Sequence, residues 1–250
     1  MRKYDHCLDK SKRNNRQTLS SRLLAIAERV PHGAAVADIG TDHAYLPVYL
    51  IQNSIAGRVI ASDVNSGPLD KALRNIKDSG TAQSIELRLG SGLEILSPGE
   101  VDTAVITGMG GLLIADILEK SSCIAREIQT FLLQPMNHLE GLRRYLVHHH
   151  YRIIDEVLVE DDGRIYCVMT VVNGQQEVPD EMYYKVGKSL VTKKDLLLAK
   201  YLENRVKELD KIICDIRLID TAKTRERRKE CEKECAMIRE LLQRIKEGES

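Results

Sequence analysis

Two acids about one helix apart, each at the end of an apolar run, are the chemically loaded positions in this chain. Val36-Ala37-Asp38-Ile39 leads into Gly40-Thr41-Asp42-His43-Ala44-Tyr45-Leu46-Pro47, and Val59-Ile60-Ala61-Ser62 ends in Asp63. This is how an α/β sheet holds a nucleoside: a glycine lets the backbone approach the ligand, and a second carboxylate accepts both ribose hydroxyls. A dinucleotide site asks for another glycine two positions on, so that a pyrophosphate can lie on the helix N-terminus. Asp42 stands there instead, and a carboxylate repels a pyrophosphate. S-adenosylmethionine has no phosphate, carries an ammonium and a sulfonium, and is the expected cofactor.

Other residues fit the same site. Pro47 is tolerated only in the first turn of a helix, which predicts a helix starting near Leu46 and leaves Asp42, His43 and Tyr45 in a loop over the carboxyl edge of the sheet. Asp38 is expected to hold that loop or to reach the ammonium through water. Leu89-Gly90-Ser91-Gly92-Leu93 offers a backbone edge for an adenine ring, and Ile106-Thr107-Gly108-Met109-Gly110-Gly111 places three glycines beside the reacting methyl group.

The elements that must position these residues are legible as periodicity. Leu19, Leu23, Ile26, Ala27 and Val30 have helical spacing, with Thr18 or Ser20 as N-cap and Pro31 as the stop. Strands are expected at 35–39, 58–64, 85–89, 103–107 and 130–134 with helices between them, the pattern of βαβ units and a mainly parallel sheet. A helix over 139–149 precedes two strands at 152–159 and 164–172, read as an antiparallel hairpin closing the sheet edge. Gly, Gln and Pro near 173–180 mark a linker. Beyond it Leu202, Val206, Leu209, Ile213 and Ile216, then Cys231, Cys235, Ile238, Leu242 and Ile245, predict two helices folded back at Thr221–Thr224 as a coiled-coil hairpin. The expected organisation is a basic arm over 1–18, an α/β unit over 19–175 and a helical appendage over 176–250.

The 250 residues have zero formal charge, unevenly spread. Residues 1–18 hold six Lys/Arg against two acids and residues 181–250 hold eighteen against fourteen, so a mildly acidic middle is flanked by basic arms suited to a polyanion. No apolar run is long enough to span a bilayer, and the basic N-terminal stretch is not followed by a signal-peptide core, so a cytoplasmic protein with no membrane partner is expected. The cysteines form no disulfide-like framework. Neither Cys231 with Cys235 nor His148-His149-His150 has the partners of a metal site, so no metal is expected.

The run Asp38-Ile-Gly-Thr-Asp-His-Ala-Tyr-Leu-Pro47, with Ala61-Ser-Asp-Val-Asn65, Gly108-Met-Gly-Gly111 and Leu133-Gln-Pro135, resembles the bacterial tRNA adenine-22 N1-methyltransferases, the TrmK family. The likeness covers about residues 19–172, and the C-terminal helices match the family's coiled-coil appendage in kind. It implies a Rossmann-like class I methyltransferase fold with a seven-stranded mixed sheet, S-adenosyl-L-methionine as donor and an adenine in the D-arm region of tRNA as acceptor. By motif position it implies that Gly40, His43, Asp63, Ser91, Gly92, Gly108 and Met109 line the cofactor site. One departure is Met136, which separates Gln-Pro from Asn137.

Adenine N1 is neutral and carries a lone pair, so attack on the methyl needs no strong base, while the product ring is cationic. Catalysis then rests on alignment and on groups that tolerate positive charge. Asp42 is the candidate carboxylate, Tyr45 would stack on or hydrogen-bond the base, and His43 would position either partner or shuttle a proton. Lys223, Arg225, Arg227, Arg228 and Lys229 form the densest basic cluster and are the expected tRNA contacts. A monomer is expected. The competing readings are a methyltransferase for another nucleobase or a small molecule, and a cofactor-binding protein that recruits partners through its helices.

Overall fold

A computed structural model describes residues 19–219 and 221–247; the basic arm expected over 1–18 lies outside the described residues. Ser20 caps the first helix, α1 (Ser21–Ala27), by accepting from the Leu23 amide, and the chain then enters β1 (Ala34–Ile39). Helices and strands alternate from there: α2 (Tyr45–Gln52), β2 (Ala56–Asp63), α3 (Ser66–Asp78), β3 (Ile85–Leu89), a 3₁₀ turn over Gly92–Ile95, β4 (Thr103–Met109), α4 (Gly111–Lys120), α5 (Ser122–Glu127), β5 (Thr130–Pro135) and α6 (Leu139–His148). Each crossover returns the chain to the same edge, so β1 to β5 are parallel. The hairpin of β6 (Tyr151–Asp161) and β7 (Arg164–Asn173) follows, and β7 inserts antiparallel between β5 and β6. The sheet order is β3-β2-β1-β4-β5-β7-β6.

Successive residues of a strand point to opposite faces, and here both faces are covered. Val36, Val59, Ala61, Val105, Leu132 and Val168 pack under α1, α2 and α3. Ala37, Ile60, Ile106, Phe131, Leu133 and Met169 pack under α4, α5 and α6. This double burial is why the strands read as continuous apolar runs. β4 runs two residues past its expected end, and that extension contains Gly108 and Met109.

After β7 the chain makes two short helices, α7 (Met182–Val186) and α8 (Lys188–Thr192), before the long α9 (Leu198–Ile216) and α10 (Ala222–Glu247). Five residues complete barely one turn, too little to register as periodicity, so the sequence reading passes over α7 and α8. The two long helices pack antiparallel: Lys246 pairs with Glu203, and seven residues along each helix in opposite directions Arg239 pairs with Asp210. Leu202, Leu209, Cys231, Cys235 and Ile238 are buried between them, in an apolar core continuous with one face of the sheet.

Candidate active site

The strand order reverses between β1 and β4, so the connections leave these strands in opposite directions and open a crevice at their carboxyl ends. It forms a cavity of about 410 Å³, within the usual range for small-molecule sites. Of the eight residues expected at the cofactor site, Gly40, Asp63, Ser91, Gly92, Gly108 and Met109 line it, while Asp38 and His43 do not. The lining also includes Val64, Leu113 and Ile117, apolar residues with no chemistry of their own to flag them.

Each lining residue has a local reason for its place. Gly40 has φ 76, and its amide and that of Thr41 both donate to the Ser62 carbonyl, at 2.9 and 2.8 Å, folding the loop over the end of β2. A Cβ at Gly40 would overlap the Met109 Cε, so the glycine lets the β4 side chain close against β1. Asp63 Oδ1 accepts from the Asn65 amide at 2.9 Å, which fixes the turn into α3 and leaves Oδ2 unengaged among the described residues. Beyond the sheet edge the β4–α4 and β5–α6 turns are zipped together: the Met136 amide donates to Met109 at 2.8 Å and the Gly111 amide to Asn137 at 3.1 Å. A Cβ at Gly111 would lie 2.7 Å from the His138 carbonyl oxygen, so this approach requires glycine.

The electrostatics of the cavity are one-sided. Asp63, Glu94 and Asp116 line it against a single Lys120, whose ammonium is already bound to Asp116 at 2.8 Å. An acidic wall disfavours a pyrophosphate and favours a ligand with positive charge.

Asp38 is not in the lining. Its side chain is buried and accepts from the Thr41 hydroxyl at 2.6 Å; burial pushes its pKa up to about 6, against the smaller lowering effect of that hydrogen bond. Of its two expected tasks, it performs the holding of the loop. Asp42, His43 and Tyr45 stand at the same edge of the sheet, beside the lining rather than in it. The Asp42 side chain is 68% exposed, with Oδ1 3.5 Å from His43 Nε2. The His43 and Tyr45 rings stack at 5.2 Å and 8°. Asn75 of α3 donates to the His43 carbonyl at 2.8 Å and anchors the loop from the other side.

Tyr45 is the first residue of α2 rather than a loop residue. Ala44, at φ 56, ends the loop in the left-handed region, the Val48 amide closes the first turn on the Ala44 carbonyl, and Pro47 falls where a helix leaves its N–H groups unpaired. The basic cluster Lys223, Arg225, Arg227, Arg228 and Lys229 occupies the first turns of α10, with Arg227 paired to Glu230 and Arg228 near Glu232, and contributes nothing to the cavity. His149 pairs with Glu119 and stacks on Tyr145. Among the described residues, no group of three or more His, Cys, Asp or Glu could hold a metal ion, and no helix is long and apolar enough to cross a membrane.

A parallel sheet reversed between β1 and β4, an antiparallel β7 and an acidic, glycine-walled cavity at the switch point define a Rossmann-like class I methyltransferase. The family model described as TrmK, tRNA (adenine(22)-N(1))-methyltransferase, matches residues 36–246. A tRNA (adenine(22)-N(1))-methyltransferase of Bacillus subtilis (strain 168) is 36% identical over 236 residues, covering 92% of this chain and 98% of the relative. The crystal structure of B. subtilis TrmK superposes with a TM-score of 0.82 at 34% identity, over 90% of this chain and 99% of that one. M. capricolum TrmK, solved with the cofactor product S-adenosyl-homocysteine, gives 0.77 at 29% identity over 91% and 99%. The chain belongs to the TrmK family.

Proposed function

We propose that the cavity between β1 and β4 is the S-adenosyl-L-methionine site of a tRNA (adenine(22)-N(1))-methyltransferase, and that the Asp42-His43-Tyr45 edge receives the adenine. The observation that carries this reading is the acidic lining closed by Gly40 against Met109, which suits a cationic nucleoside and repels a pyrophosphate. When bound, S-adenosyl-L-methionine supplies an electrophilic methyl group on a sulfonium sulfur. Asp63 accepts the ribose hydroxyls, Ser91 and Gly92 offer backbone to the adenine edge, and Val64, Leu113 and Ile117 give the purine apolar walls. Gly108 and Met109 bound the reacting end, and Asp38 acts through Thr41 on the shape of the loop.

The protein's task toward the acceptor is alignment. Adenine N1 needs no general base, but the ring acquires positive charge as it is methylated, and Asp42 supplies a carboxylate at the edge where that charge develops. The stacked His43 and Tyr45 rings present an aromatic surface to an unstacked base, and His43 also positions the donor side of the loop. N1 lies on the Watson–Crick edge, so the base must leave its pairing to react.

For docking, α10 opens with five cations and has no acid in its first turn. Arg227 and Arg228 have acids of the same helix beside them; Lys223 and Arg225 stand in the first turn, where cations oppose the helix dipole and tRNA phosphates would favour them. The basic arm over 1–18 would add to the same attraction. We read 19–175 as the catalytic unit, 176–250 as the appendage that reaches RNA, and the enzyme as a monomer acting in the cytoplasm. Incubation with labelled S-adenosyl-L-methionine and unmodified tRNA, followed by nucleoside mapping, should give 1-methyladenosine at position 22. Label in no RNA, or at another position, would overturn the reading.

A further inference from the structure

β4 carries a bulge at its functional end. Thr107 lies opposite Gln134 and Met109 opposite Pro135, so Gly108 has no partner residue in the ladder. A bulged residue loses its ladder hydrogen bond and re-aims the strand. Here it has φ 72 and, with Met109, lines the cavity. Its orphaned amide is satisfied by a side chain, donating to Gln134 Oε1 at 3.2 Å. That oxygen accepts a second, shorter bond of 2.8 Å from Nη1 of Arg22, on α1.

Arg22 therefore supplies the shortest of the hydrogen bonds that hold the Gln134 amide. Gln134 is fully buried, so each end of its amide must be matched. A guanidinium only donates, so the atom facing it must be the oxygen, and the same oxygen is then presented to Gly108. The amide nitrogen gives its bond to the Pro135 carbonyl at 3.1 Å. Without the cation the oxygen keeps only its longer 3.2 Å bond from Gly108, and the side chain is held less firmly against the bulge. Arg22 is in turn seated over the Tyr166 ring, 5.3 Å from its centroid, with Nε 4.0 Å from the Asp161 carboxylate.

We propose that Arg22 is a positioning residue for methyl transfer: acting through Gln134, it sets the β4 bulge that holds Gly108 and Met109 against the reacting group. The proposal rests on the reading of the cavity as the cofactor site. It assigns to α1, which contributes nothing to the cavity lining, a role that runs mainly through Gln134 Oε1, with Met136 Sδ a longer contact of 3.7 Å to the same nitrogen. A side chain that preserves the donor at position 22 should therefore restore what an apolar one removes.

The test uses the full chain with Arg22→Met, Arg22→Lys and Gln134→Leu, the last removing the shared acceptor. Two quantities are read: kcat and the cofactor KM for transfer to unmodified tRNA, and hydrogen exchange of the Gly108 amide without RNA. Arg22→Met should lower kcat about tenfold while the cofactor KM stays within about threefold. It should speed Gly108 exchange about tenfold, as Gln134→Leu should also do, with Arg22→Lys recovering most of both effects. Unchanged Gly108 exchange, a loss confined to KM, or equal behaviour of the Lys and Met variants would overturn the proposal. A wild-type chain that methylates no tRNA would instead overturn the cofactor-site reading, and the exchange data would still decide whether Arg22 fixes the bulge.

Discussion

Two buried ionisable groupings in this protein lie at opposite ends of its functional scale. Beside the cavity, Asp38 is buried against a neutral partner, the Thr41 hydroxyl. Under α7, Arg143 and Glu156 are each about 2% exposed and joined at 2.8 Å. The remaining Arg143 nitrogens reach the carbonyls of Tyr184, Lys185 and Val186 at 3.0, 2.9 and 3.4 Å, the C-terminal end of α7, where a cation suits the helix dipole. Burial is the largest single influence on Arg143 and opposes its charge, but Glu156, Cys167 and Tyr201 together outweigh it and hold the guanidinium pKa above its usual value; burial also pushes up the neighbouring Cys167 thiol. Gly187, at φ 98, passes so close that a Cβ would meet Glu156 Oε2 at 2.5 Å. The space left there is about 60 Å³, against about 410 Å³ in the cavity between β1 and β4.

The contrast separates electrostatic intensity from function. The Arg143 cluster is saturated by its own chain and fastens the C-terminal helices to the sheet. The cavity is walled by glycine backbone and partly exposed carboxylates, whose unused valences are what a ligand can take. A strongly perturbed buried group thus marks a joint at one end of this molecule and a loop support at the other, and in neither place the reacting surface.

Substitutions can break this contrast. The largest effect should come from Arg143→Ala, which strands Glu156 without its partner and costs about 3–5 kcal/mol in denaturant unfolding. The variant that remains folded should keep its affinity for S-adenosyl-homocysteine, and a parallel loss of affinity would show that the joint and the cavity are coupled. Next is Asp38→Asn. Because the unfolded chain releases the Asp38 proton near pH 4 and the folded chain holds it to about pH 6, stability falls as pH rises through that window. Removing the charge should flatten this slope and leave the variant up to about 3 kcal/mol more stable at pH 8. Urea titrations at pH 4 and pH 8 read the difference, and parallel losses in the two proteins would remove Asp38 as its source.

Asp63→Ala should weaken S-adenosyl-homocysteine binding roughly a hundredfold by calorimetry, about 2.7 kcal/mol, the loss of two charge-assisted hydrogen bonds. The ligand-free protein should lose only the bond to the Asn65 amide, about 1 kcal/mol. The smallest effect is expected from Asp42→Ala, with cofactor affinity unaltered and transfer to tRNA slowed about tenfold. An unchanged rate would place Asp42 outside the chemistry.

Much of this was readable before the fold. The βαβ alternation, the hairpin after α6 and the helical pair follow from hydrophobic period, and six of the expected cofactor residues do meet at one cavity. Tyr45 was misplaced by one element because a left-handed Ala44, invisible to periodicity, starts the helix early. α7 and α8 were too short to signal themselves, and Arg22 and Gln134 carry no motif that pairs them across 112 positions of sequence.

What the sequence alone determined is local and repetitive: strand and helix from apolar period, cofactor class from the acid in place of a second glycine, and the family from contiguous motifs. What only the tertiary structure decided is which polar groups satisfy one another. It divided Asp38 from Asp63, one spent on Thr41 and one left open to a ligand, and it gave the Gly108 amide to Gln134 and Gln134 to Arg22. Those assignments depend on burial and on distances between residues far apart in the chain, and no spacing along the sequence encodes either.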